Sequence, residues 1–177
     1  TTATYPHGPA GKWPVAAVSN STVTINTVYF MPISFEKPVT TATIFCDVTT
    51  LQAAKNVRIG IYASSATTGA PTGSVLAESS DISTASTGNK SLSTSQALTA
   101  NTTYWMAFNT DANTAVFASY AMSAVNLPAV GPMSFSSTPT ICYKKSSTFG
   151  AFPTASSLTA LSKSDSDVLP ALFLSIA

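Results

Sequence analysis

The chain has 177 residues, a formal net charge of +1, 45% hydrophobic and only 8% charged residues, one histidine and two cysteines. That length fits one domain or two small ones, and the charge shortfall against the roughly 25% usual in soluble domains is filled by Ser and Thr, roughly 30% of the chain. Eight basic and seven acidic residues, with no run beyond Lys144-Lys145, leave no electrostatic footprint for phosphate backbones or anionic lipid, so neither nucleic acid nor a membrane surface is expected as a partner.

No stretch approaches the roughly 20 apolar residues that span a bilayer, so membrane insertion is not expected. Residues 1 to 11 carry neither the basic start nor the apolar run of a signal peptide. Cys46 and Cys142 lie far apart with no CxxC and no His-spaced partner, which gives zinc and thioredoxin-like redox chemistry no support. Two buried free thiols are the simpler expectation, with a disulfide between them as the alternative.

Thr and β-branched residues dominate, apolar positions alternate, and Gly, Pro, Asn or Ser clusters recur every ten or so residues, the pattern of an all-β antiparallel sandwich or jelly roll of about eight to ten strands. No segment reads as a helix. Residues 1 to 20 hold Pro6, Pro9, Pro14, Gly8 and Gly11 and read as an extended arm or linker. Residues 21 to 177 read as one sandwich domain. Val23, Ile25 and Thr27 alternate ahead of Tyr29-Phe30-Met31, and Pro32 and Pro38 bracket a turn or edge segment.

From Thr41 to Thr50, Ala42, Ile44, Cys46 and Val48 share one face while Thr43, Phe45, Asp47 and Thr49 share the other. Val57, Ile59, Ile61 and Ala63 alternate with Arg58, Gly60 and Tyr62, the clearest strand in the chain, with one buried face. Residues 64 to 74 form a turn-rich loop before a short strand at Val75-Leu76-Ala77. Further strands are expected at 90 to 94, 103 to 109, 116 to 122, 140 to 144 and 171 to 176. Between Asn126 and Ser157 prolines, glycines and the rings of Phe135, Tyr143, Phe149 and Phe152 mark a long, partly structured excursion. Long loops on a rigid sheet are where binding usually resides.

The order of these segments resembles a jelly-roll module of bacteriophage virion proteins, found near the C-terminus of tail fibres, head fibres and related appendages. The resemblance runs through Tyr29-Phe30-Met31-Pro32, Val39 to Ile44, Val57 to Tyr62, Gly69-Ala70-Pro71-Thr72-Gly73 and Val75-Leu76. It continues through the Leu, small loop, Tyr-Trp-small strand of Leu98 to Ala107 and a closing strand at Leu169 to Leu174. It covers roughly residues 28 to 125 and 168 to 177. Asn101 stands where the module often has a glycine, and Asn tolerates the left-handed backbone region that the glycine would supply. Residues 126 to 157 have no counterpart in it.

The resemblance implies a virion protein without catalytic residues or cofactor, usually a homotrimer, that binds a host receptor or surface glycan. The alternative is a capsid-decorating or fibre-anchoring protein that binds other virion subunits. The scarcity of charge agrees independently, because a surface so little protected against self-association suits a subunit covered in an assembly.

Hydrolytic chemistry finds little in the residues. His7 sits in the Pro/Gly arm without rigid support for a nucleophile triad, and Gly8 to Trp13 lacks the spacing of a phosphate loop. Asp47, Glu78, Asp81, Asp165 and Asp167 read as solvated carboxylates rather than a glycosidase pair or a calcium loop. Asn20-Ser21-Thr22 and Asn101-Thr102-Thr103 match the glycosylation pattern, which chance supplies in so Ser- and Thr-rich a chain. Flat rings with polar neighbours suit sugar faces and protein interfaces alike. The expected partner-binding residues are therefore Tyr143, Lys144, Lys145, Phe149 and Phe152 in the excursion, with Trp13 in the arm as the next choice. Trp105, Tyr104, Tyr62 and Phe30 are expected to pack within the sheet or at a subunit interface.

Overall fold

The structure is a computed structural model that describes residues 4–6, 19–121, 142–161 and 168–177. Among them the chain forms strands β1 (Thr4–Pro6), β2 (Ser19–Ser21), β3 (Thr27–Ile33), β4 (Val39–Thr50), β5 (Asn56–Ser64), β6 (Pro71–Glu78), β7 (Ile82–Ser83) and β8 (Gly88–Ser93). They are followed by β9 (Ala97–Leu98), β10 (Tyr104–Thr110), β11 (Val116–Ala121), β12 (Cys142–Ser146), β13 (Thr159–Leu161), β14 (Val168–Pro170) and β15 (Leu172–Ile176). No described residue is helical. The chain is an antiparallel β-sandwich. The first sheet runs β1-β15-β4-β11-β14, with β2 on β11 and with β8 and β9 on β4. The second runs β13-β12-β3-β10-β5-β6, with β7 beside β5.

The chain passes back and forth between the sheets, so each wall of the core draws on distant parts of the sequence. Alternation on β4 sends Ile44, Cys46 and Val48 inward, and on β5 it sends Val57, Ile59 and Ile61 inward; all six are buried, in the register that the sequence predicts. Met31 and Ile33 from β3, Met106 and Phe108 from β10, Phe117 from β11, and Leu172 and Leu174 from β15 complete the filling. Phe108 and Phe117 meet edge to face across the core, with centroids 5.1 Å apart. Both thiols lie free and buried in this core, where burial pushes Cys46 up to about 12 and Cys142 higher still.

Several boundaries differ from the sequence reading, each for a physical reason. Six strands are only two or three residues long; they are loop segments recruited by hydrogen bonding to a neighbouring ladder, which no periodicity announces. Val23 and Ile25 precede the strand rather than begin it, because Asn26 takes φ 53 and turns the chain into β3 at Thr27. Pro32 lies inside β3 beyond the stretch that β12 pairs, so its missing N–H costs no ladder bond on that side. Asn101 does adopt the left-handed region, at φ 55. The expected arm is part of the first sheet at both ends: Thr4–Pro6 pairs with β15 and Ser19–Ser21 with β11. Residues 7–18, and with them His7 and Trp13, lie outside the described residues.

Candidate functional site

The site expected between Asn126 and Ser157 falls, in its described part, on β12 and on the loop of residues 147–158 that joins β12 to β13. Its floor is the face of the second sheet turned away from the core. Strand alternation puts Tyr62, Gly60 and Arg58 of β5, Trp105, Ala107 and Asn109 of β10, Val28 and Phe30 of β3, and Tyr143 and Lys145 of β12 on that face. Register then aligns Gly60, Ala107, Phe30 and Tyr143 in one row across four strands. The two small residues leave a depression walled by rings. A face expected to be half-solvated is instead a second apolar cluster: Val28, Phe30, Tyr62, Trp105, Ala107 and Phe152 are all buried in it.

The loop supplies its roof. From β12 it crosses β3, β10 and β5 to reach β6, four inter-strand gaps or roughly 19 Å at sheet spacing, and Ala155 N–H donates to the Gly73 carbonyl at 2.9 Å. Phe152 fills the depression, which Gly60 makes possible: a Cβ there would stand 2.9 Å from the Phe152 ring. Tyr62 meets Phe152 edge to face at 6.1 Å and Phe30 at 5.3 Å. Burial of the Phe152 side chain is worth about 1.5–3 kcal/mol, and polar bonds hold the loop in register around it. Tyr62 OH donates to the Pro153 carbonyl at 2.7 Å, Phe152 N–H donates to Glu78 Oε2 at 3.0 Å, and Phe149 N–H donates to Asn26 Oδ1 at 3.0 Å. Trp105 Nε1 donates to the Gly69 carbonyl at 3.1 Å, securing the adjacent loop as well.

The predicted residues divide accordingly. Tyr143, Lys145 and Phe152 come together on this face, with Phe149 at its margin. Tyr143 packs edge to face on Trp105 at 5.3 Å, and its partial burial raises the phenol pKa. Lys145 Nζ donates to the Ser156 carbonyl at 2.7 Å, closing the loop on itself. Lys144 does not join them: adjacent strand residues face opposite ways, so it shares the inner face with Cys142, and the lysine pair makes no common cationic patch. Phe152 is buried and Phe149 half-buried. Trp13 and Phe135 lie outside the described residues.

Among the carboxylates, Glu78 and Asp81 are both engaged by Arg58, through Nη1 to Glu78 Oε2 at 3.3 Å and through Nε to Asp81 Oδ1. Burial first, and the nearby Glu78 charge second, raise the Tyr62 phenol well above its usual range, so it stays a donor. Asp47 faces outward from the first sheet, opposite Asn89. Asp165 and Asp167 lie outside the described residues, and no group of three or more His, Cys, Asp or Glu side chains among the described residues could hold a metal.

The role of the loop as a roof escaped the sequence reading, yet one signal was there. Gly60 sits in the strongest strand of the chain between Arg58 and Tyr62, and a glycine inside a strand marks a place where something approaches closely. Comparison with known proteins finds no family model that matches the chain and no matching curated protein.

Proposed function

We propose that the chain is a non-enzymatic attachment domain of a bacteriophage virion, a jelly roll that works as a homotrimer in a tail or head fibre and binds a host receptor or surface glycan. The observation that carries the reading is that the resembling segments fall, in chain order, on strands of an antiparallel sandwich. Tyr29 to Pro32 lie in β3, Val39 to Ile44 in β4, Val57 to Tyr62 in β5, Val75-Leu76 in β6, Tyr104 to Ala107 in β10, and Leu172 to Leu174 in β15. The loop that has no counterpart in the module is clamped on a rigid sheet, the usual setting of a recognition element. Capture of Glu78 and Asp81 by Arg58 argues against their use as an acid and base pair.

A second reading, a capsid-decorating or fibre-anchoring subunit, draws on a different observation. Two of the rings that a glycan would stack on, Tyr143 and Phe152, are turned toward the second sheet, while the outer face of the first sheet carries Phe45 stacked on Phe173 at 5.2 Å. Half-buried rings on a face that also carries Thr43, Ser91, Ser93 and Ser175, with Asp47 and Asn89 further along it, suit contact with another subunit.

Labelled protein offered in parallel to whole host cells and to purified capsids separates the two. Saturable binding to cells that is lost when surface glycan is stripped supports receptor binding, and binding to capsids alone supports decoration. Phe149→Ala is the sharpest variant for the cell arm, because Tyr143 and Phe152 also support the fold. It should weaken attachment about tenfold, the scale of an interface hot spot, with an unchanged melting temperature. A monomer mass by light scattering at micromolar concentration would remove the trimer, and a rise in reducing ends on host polysaccharide would remove the non-enzymatic reading.

A further inference from the structure

Asn109 of β10 is almost fully buried, and neither its Nδ2 nor its Oδ1 has a hydrogen-bond partner among the described residues. Alternation along β10 places it on the outer face with Trp105 and Ala107, opposite Arg58 on β5. The polar groups around it are committed elsewhere. Arg58 is held by Glu78 and Asp81, Glu78 Oε2 also takes the Phe152 N–H, and Lys145 reaches Ser156. The roofing loop brackets the amide: Phe149 is bonded to Asn26 on one side, and Phe152 sits over Gly60 on the other. Between them lies Gly150, at φ 151, a backbone conformation that glycine accommodates.

A buried carboxamide with a free donor and a free acceptor is costly unless a ligand of matching chemistry meets both. Neither an anion nor a cation does so; a molecule that donates and accepts at once does. Water is the smallest such molecule and the usual partner of a buried unpaired polar group. We infer that Asn109 anchors an internal hydration site, in which water held by the carboxamide bridges the second sheet to the main chain of residues 149–152. The loop is then tied down by a polar clasp at Asn109 as well as by the apolar plug at Phe152, since a buried water normally makes about three hydrogen bonds to groups that would otherwise stay unpaired.

A crystal structure of the full chain at high resolution tests the site directly. Ordered density within hydrogen-bond distance of both Asn109 side-chain atoms supports it, whereas a dry amide, or one turned onto a protein carbonyl and N–H, overturns it. Asn109→Leu gives an independent readout, because the near-isosteric apolar side chain would relieve a dry site but would strand the water of a hydrated one. The hydrated site predicts a melting temperature lower by about 2–4 °C, with faster amide exchange at Phe149 and Phe152. An unchanged or raised melting temperature would overturn the inference. Water relaxation dispersion should count fewer long-lived internal waters in Asn109→Leu than in the unaltered protein, and an equal count would also tell against it.

Discussion

The two apolar clusters on either side of the second sheet are built from the same strands by different means. On the inner side Met106 and Phe108 meet side chains of the opposite sheet, so each wall is a ladder held by many hydrogen bonds and shared by distant segments. On the outer side Trp105 and Ala107, one residue away, belong to a smaller cluster roofed by one loop whose hold rests on Phe152, a few polar bonds and one bridge to Gly73. Opening the first requires separating the sheets. Opening the second requires lifting one loop, so it should open locally and at lower free energy than global unfolding.

The largest expected effect tests the inner cluster. Phe108→Ala removes a ring that packs against Phe117 and should cost about 3–5 kcal/mol of global stability, read from denaturant midpoints, with exchange protection falling throughout both sheets. Phe152→Ala should cost less, about 2–4 kcal/mol, and its signature should be local. The amides of Phe152 and Ala155 should exchange faster while those of β4 and β15 keep their protection; loss of protection across both sheets would abolish the distinction between the clusters.

Gly60→Ala sharpens the comparison at the contact itself. The new Cβ meets the Phe152 ring at 2.9 Å and Val75 Cγ2 at 3.1 Å, so the substitution should cost about 1–3 kcal/mol through overpacking. Phe152→Leu in the same chain should recover part of that loss, and strict additivity of the two changes would show that Gly60 and Phe152 do not touch.

The thiols distinguish the clusters by pH. Burial raises Cys46 from 9.0 to about 12, so the folded chain holds a proton that the unfolded chain has lost. The stabilisation is therefore complete below pH 9.0 and declines as pH rises toward about 12, at most by about 1.4 kcal/mol per pH unit for each thiol. Urea midpoints measured between those limits should fall accordingly, and a Cys46→Ala, Cys142→Ala chain should show a flatter profile. A thiol reagent at neutral pH should label neither cysteine in the folded chain, and Phe152→Ala should leave both unlabelled because they belong to the inner cluster.

Where one residue type and one period sufficed, the sequence alone was enough. The alternation of Ile44, Cys46 and Val48 and of Val57, Ile59 and Ile61 specified strands, register and the buried face, because a slip of one residue would turn every apolar group outward. Asn101 takes the left-handed turn that its side chain was expected only to tolerate. The opposite face of β5 was not legible in this way. Arg58, Gly60 and Tyr62 read only as the face turned away from the core, with Tyr62 expected to pack in the sheet or at a subunit interface, and what covers them is residues 147–158, about ninety positions away. Tyr143 and Phe152 read as binding residues for the same reason: an aromatic ring in a loop has the composition of a recognition site whether it faces solvent or a sheet. Local pattern records which way a side chain points from its own strand. What lies on the other side is decided by long-range pairing, here the bridge from Ala155 to Gly73 and the fit of Phe152 over Gly60, and those contacts exist only once the chain has closed on itself.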